Sequence, residues 1–259
     1  MSRESDSWRR EERARRQRGL RRARRLILLA GIVACLAVSP GIRDRVSGAL
    51  HLDVLKHAEG SLSQRLGDYL ASFQAVSPEE KQSLLLVNFE HPLPDGFAPK
   101  ELVCLYEQRH SFLLASSDIF LEREVYEAME RMFSAAEKDG VNGFIVTSGY
   151  RTAEKQREIY AQSGESLANL PGYSEHQTGL AFDVTTRYAS GGFEDTEQYR
   201  WLIAHCAEYG FIHRFPSGKE DVTGVMYEPF HFRYVGVEAA QYIEQNGLCF
   251  EEFIALYTD

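Results

Sequence analysis

Between Leu180 and Thr185 apolar and polar residues alternate, the period-two pattern of a strand with one face in a core. Leu180, Phe182 and Val184 take one face and Asp183 the other. A carboxylate on so apolar a strand is costly to bury unless it is paired or bound to a metal. This segment therefore asks for a core on one side and a cationic partner on the other. The chain can supply the core, with 44% apolar and 12% aromatic residues.

Around that strand the spacing predicts alternating helices and strands in irregular order. Glu122 to Asp139 carries Val125, Met129, Met132, Phe133 and Ala136 on one helical face and stops at Asp139-Gly140. Phe144 to Ser148 reads as a buried strand, and Thr152 to Ala161 as a helix capped by Thr152 with Glu154 in its first turn. Tyr199 to Tyr209 reads as a helix ended by Gly210, His231 to Tyr234 as a strand, and Val237 to Gln245 as a last helix. Leu84 to Asn88 opens the compact part as a short apolar strand. Such an order points to an α+β fold rather than a doubly wound sheet.

Chemistry concentrates in three clusters: Ser148 to Thr152, Ser174 to Asp183, and Tyr227 to Arg233. A catalytic zinc takes three protein ligands from imidazole nitrogen and carboxylate oxygen, with a fourth position for water. His176, Asp183 and His231 can supply that set, and Gly179 lets the chain turn between the first two. Glu228 precedes His231 by three residues, which strict alternation would put on the opposite face. Pro229 argues against a regular central strand there, so Glu228 is expected at a loop end and His231 at the strand entrance, both facing one cleft. A carboxylate beside a metal-bound water suits proton transfer. The bland alternative is that these are hydrogen-bonded core histidines, the reading adopted for His51, His57, His91, His110, His205 and His213.

The N-terminal part has a different character. Residues 1–25 hold eleven arginines against Glu4, Asp6, Glu11 and Glu12, a surplus of seven positive charges in a chain of net charge -9. The remainder is therefore strongly acidic and a poor partner for nucleic acid, whose affinity rests on neutralising phosphates. Leu26 to Val38 is an uncharged run that extends to Ile42, so residues 26–42 approach the lower limit for a membrane span, about 17 residues. The arginines would then stay in the cytoplasm and the acidic body would lie outside. Residues 26–42 are expected to be an uncleaved anchor. Alternatively, Ile32-Val33-Ala34-Cys35 is a lipoprotein box with Cys35 lipidated. Residues 43–83 read as a helical stalk, with Ser77-Pro78 opening a helix, and 84–259 as the catalytic domain. Cys104, Cys206 and Cys249 follow no CxxC spacing, and Cys206–Cys249 is one possible disulfide beside the reading of three small buried apolar side chains.

The clusters resemble the signatures of the VanY-type D-alanyl-D-alanine carboxypeptidases, a family related to the VanX dipeptidases and the Hedgehog signalling domain. The pattern SxHxxGxAxD is met from Ser174 to Asp183, ExxH by Glu228 and His231, and SGYRT by residues 148–152. The likeness runs from about Leu84 through Gly236. It implies one catalytic domain with a small, mostly antiparallel sheet and flanking helices. It also implies one zinc ion held by His176, Asp183 and His231, with Glu228 as catalytic base and acid. Arg151 would lie beside the reacting carbonyl, and Gln156 and Ser174 would help hold the substrate terminus. The implied substrate is a peptidoglycan stem ending in D-Ala-D-Ala. An L,D-carboxypeptidase acting on tetrapeptide stems and a zinc-stabilised wall-binding module are the alternatives. Two departures bear on substrate preference: Phe230 replaces a usual tryptophan, and the stretch between Tyr160 and Pro171 is short.

Overall fold

A computed structural model describes residues 82–163, 169–187 and 191–258, all within one compact unit, Ser77–Asp259. The expected basic segment, anchor or lipobox, and nearly all of the stalk, including its Ser77-Pro78 start, lie outside the described residues. Among the described residues no helix is long and apolar enough to cross a membrane.

The core forms where one amphipathic helix meets a sheet. Helix α1 (Arg123–Lys138) buries Val125, Ala128, Met129, Met132, Phe133 and Ala136, the face expected from the i, i+3, i+4 spacing. Phe133 stacks on Phe144 at 4.6 Å and meets Phe182 edge-on at 6.1 Å. A fully buried phenylalanine contributes about 1.5–3 kcal/mol by leaving water, so these rings weigh heavily in holding helix to sheet.

The sheet has five strands: β2 (Leu113–Leu114), β4 (Phe144–Ser148), β5 (Ala181–Thr186), β6 (Phe211–Phe215) and β7 (Glu228–Tyr234). Their order is β2-β4-β5-β7-β6, and only β2 and β4 run parallel. A separate antiparallel pair joins β1 (Leu102–Cys104) to β3 (Phe120–Glu122). Helices α2 (Ala153–Ser163), α3 (Glu197–His205), α4 (Glu220–Thr223), α5 (Val237–Gln245) and α6 (Phe250–Thr258) complete an α+β domain with a mostly antiparallel sheet.

Caps behave as their residue types require. Thr152 Oγ1 accepts the Lys155 amide at the start of α2, and Thr196 Oγ1 accepts the Tyr199 amide at the start of α3. The helix expected from Tyr199 to Tyr209 therefore starts earlier, and its last turn is a 3-10 turn, Cys206–Tyr209. Gly210 ends it at φ 88°.

Three expectations need correction. Leu84 to Asn88 is not a strand: it forms no ladder, and the carbonyls of Ser83 and Leu85 instead accept from the Arg233 guanidinium at 3.1 and 3.0 Å. Strand β7 begins at Glu228 and contains Pro229. The ladder tolerates this because the pairing with β6 slips between His213 and Phe215, and pairing with β5 reaches only His231. Proline's missing N–H thus falls where no ladder bond is needed. Cys206 and Cys249 are both free and buried, so the disulfide is absent and they serve as small apolar side chains.

Candidate metal centre and active site

Two irregularities in the sheet gather the polar groups. Thr147 is an extra residue on β4 between the pairs Val146–Val184 and Ser148–Asp183, which sets Ser148 opposite Asp183. On β7 the slip around Pro229 turns Glu228 and His231 toward each other, with Glu228 Oε2 3.8 Å from His231 Nδ1. A regular strand would have put them on opposite faces. The two side chains do share one site, as expected, but within a bulged strand rather than at a loop end.

His176 lies in the 3-10 turn Glu175–Thr178, closed by Gly179 at φ 74°. Side chains are strained at that angle, and an added Cβ would also stand 3.1 Å from Glu122 Cγ and Leu102 Cδ2. The turn carries the chain directly into β5 and Asp183. The Arg151 amide donates to the His176 carbonyl at 3.0 Å, tying the first cluster to the second.

The hydrogen bonds orient both rings. His176 Nδ1 donates to the Gly149 carbonyl at 2.7 Å, because a carbonyl only accepts, and this leaves Nε2 3.3 Å from Asp183 Oδ2. His231 Nδ1 is 3.0 Å from Asp183 Oδ1, and its Nε2 is 3.4 Å from Glu175 Oε2. One ligand atom each from His176, Asp183 and His231 lies within 4.8 Å of the others, and all three residues are buried. Two imidazoles and one carboxylate converging in this way fit a zinc ion.

The electrostatics suit a cation. Burial favours the neutral acid at Asp183, but His176 and His231 outweigh it and hold the carboxyl far below its ordinary range. Burial depresses His231, yet hydrogen bonds with Asp183 and Glu175 overcome that and raise it to about 9. His176 is lowered, chiefly by burial. Glu228 is raised, again chiefly by burial, although its side chain keeps 30% exposure. Arg151 donates through Nε and Nη2 to Ser148 Oγ at 3.0 and 2.9 Å, and through Nη2 to Asp183 Oδ2 at 3.0 Å.

The remaining candidates are placed differently. Gln156 is 1% exposed and donates to the Asn169 carbonyl at 2.7 Å, while its Oε1 has no hydrogen-bond partner among the described residues. Ser174 is buried just before the turn that carries His176. Phe230 is half-exposed on β7 between Glu228 and His231.

One group escaped sequence reading: Glu175 reaches His231 rather than its neighbour His176. His213 is the hydrogen-bonded interior histidine expected: burial lowers its pKa to about 4, and Nε2 bonds to the Glu228 carbonyl at 3.0 Å. Arg214 and Arg233, buried cations on apolar strands, were the signal that an acid such as Glu175 had to lie between them.

A buried His/Asp/His set beside a carboxylate and an arginine, gathered at the bulged inner strands β4, β5 and β7 of a small mixed sheet, defines the class of zinc peptidases. Residues 118–237 match the family model described as VanY: D-alanyl-D-alanine carboxypeptidase. A D-alanyl-D-alanine carboxypeptidase of Enterococcus faecalis (strain ATCC 700802 / V583) is 38% identical over 204 residues, covering 71% of this chain and 70% of the relative. The chain belongs to the VanY D-alanyl-D-alanine carboxypeptidase family. Among solved structures, a vancomycin-resistance D,D-pentapeptidase VanY in complex with Zn(II) is 36% identical with a TM-score of 0.56, covering 67% of this chain and 99% of that one. The LdcB LD-carboxypeptidase is 33% identical with a TM-score of 0.60, covering 67% and 86%.

Proposed function

We propose that the chain is a zinc-dependent D,D-carboxypeptidase that hydrolyses the terminal D-Ala-D-Ala bond of peptidoglycan stem peptides, with residues 26–42 holding it at the membrane. The observation that carries the reading is the placement of Glu228. It is partly exposed, raised in pKa by burial, and 3.8 Å from a nitrogen of the metal-binding group. A structural metal has no use for a free carboxylate beside it, whereas hydrolysis needs one.

His176, Asp183 and His231 would hold the zinc. When bound, zinc supplies Lewis acidity and a water of lowered pKa. Glu228 takes a proton from the attacking water and later gives it to the departing D-alanine amine, so one carboxylate serves both halves of the reaction. Arg151 faces the oxyanion that forms on the scissile carbonyl. Its bonds to Ser148 and Asp183 set the guanidinium plane, and Nη1 takes no part in either bond. A Gln156 side chain fastened to the Asn169 carbonyl supports the substrate end by steadying the loop from Asn169 to Tyr173. Ser174 completes that end.

The anchor rests on the arginine block abutting an uncharged run, and lipidation of Cys35 is the other way to the same membrane location.

Pentapeptide and tetrapeptide stems incubated with the full-length protein, with and without a chelator, test the reading by mass spectrometry. The expected result is loss of one D-alanine from the pentapeptide, abolished by the chelator. Turnover of the tetrapeptide alone would replace D,D with L,D specificity, and two unchanged peptides in the presence of zinc would make the domain a binding module.

A further inference from the structure

Glu175 stands next to a metal-binding histidine in sequence, yet its side chain serves the other one. Oε2 lies 3.4 Å from His231 Nε2, while Oε1 accepts from Arg214 Nε at 2.7 Å and lies 3.5 Å from Arg233 Nη1. Glu175 is 3% exposed, and both arginines are fully buried. Arg214 turns its two terminal nitrogens to Glu251 on α6, at 2.8 and 2.6 Å. Two cations and two acids balance, so the cluster is neutral where solvent cannot screen it.

The geometry has a consequence for the histidine. An imidazole ring offers its two nitrogens on different sides, and His231 presents Nδ1 to Asp183 and Glu228 and Nε2 to Glu175. A carboxylate tied to two arginines can only accept, so Nε2 must carry the hydrogen. A neutral ring with hydrogen on Nε2 keeps its lone pair on Nδ1, the nitrogen that faces the candidate ligand Asp183 at 3.0 Å.

We infer that Glu175 is a positioning residue for the metal centre: it holds the His231 proton on Nε2 and turns Nδ1 toward the ion, and Arg214 with Glu251 holds Glu175 in place. Glutamine cannot replace it. Its single amide oxygen can serve Arg214 or His231 but not both, and its NH2 would face a donor on the other side. Because Arg214 also binds Glu251, the grip on the metal extends to the C-terminal helix. The inference rests on the zinc-site reading above.

The test measures zinc affinity of the full-length protein and its Glu175→Gln variant by competition with a chromophoric chelator, beside thermal melting of the metal-free forms. Outer partners of metal-binding histidines typically change metal affinity by about 10–100-fold. We expect Glu175→Gln to remain folded and to weaken zinc binding at least about tenfold, with Glu251→Gln weakening it less. Affinity within about twofold of the unsubstituted protein in a folded Glu175→Gln variant overturns the inference and leaves the zinc site standing. No zinc binding by the unsubstituted protein overturns the zinc site itself. Should Glu175→Gln fail to fold, nitrogen-15 NMR of the zinc-loaded unsubstituted protein decides: a hydrogen-bonded Nε2–H on His231 supports the inference, and a proton on Nδ1 sinks it.

Discussion

Glu228→Ala removes the carboxylate proposed as catalytic base and acid, which lies 3.8 Å from His231 Nδ1 but is none of the three candidate ligands. Its expected outcome is a fall in kcat of at least about a hundredfold, the lower end for acid–base groups, with zinc content unchanged. Stem-peptide turnover and metal analysis on one sample check both halves, and near-normal turnover would remove Glu228 from the mechanism. Arg214 belongs to stability. Fully buried between Glu175 and Glu251, it leaves two acids short of a partner if replaced by methionine. Breaking a buried pair from one side costs about 3–5 kcal/mol, so Arg214→Met should lower the urea midpoint by that equivalent; an unchanged midpoint would mean the pair is solvated. At this scale the sequence was informative wherever one residue type had a single good explanation. Asp183 on an apolar strand asked for a cation, and the resemblance of the motifs to a family named His176 and His231 as its candidate partners. Glu175 was not legible, because nothing in its own neighbourhood says that a side chain beside one histidine will reach the other.

Elements set the angles at which those side chains meet. Gly149 joins β4 to the arginine turn, and a Cβ there would stand 2.4 Å from the Phe120 carbonyl and 2.9 Å from Ile119 Cγ2. That contact is with backbone, so strand β3 would have to move. Gly149→Ala should cost about 1–3 kcal/mol, read from denaturant unfolding. It should also weaken zinc binding, since the Gly149 carbonyl orients His176. A variant as stable as the parent would show that β3 yields freely. Helix α1 was readable from one uninterrupted helical period, and strand β4 from its short apolar, β-branched run. Strand β6 was not, since His213 and Arg214 break its apolar run, and only the Glu175 and Glu251 carboxylates from elsewhere in the fold explain why an arginine can sit inside. The bulges at Thr147 and Pro229 were equally hidden, being properties of pairing between strands rather than of either strand alone.

For the molecule as a whole, the metal couples the catalytic groups to stability. A ligand that binds only the folded state adds about 2.7 kcal/mol at one hundred times its dissociation constant. Chelation should therefore both stop turnover and lower the melting temperature, and zinc should restore the two together. Recovery of one without the other would separate the catalytic site from the site that stabilises. Reducing agent, by contrast, should leave the melting curve unchanged, because Cys104, Cys206 and Cys249 are all free. The sequence by itself determined the α+β class, the core face of α1 and the strand that carries Asp183, since each follows from local period, while the candidate metal-binding set came from the resemblance of its motifs to a family. Tertiary structure alone decided which nitrogen each histidine turns inward, how Glu228 and His231 share one side of a strand, and which buried charges neutralise one another. Those depend on strand register and on contacts between distant segments, and a slip of one residue would send every side chain to the opposite face.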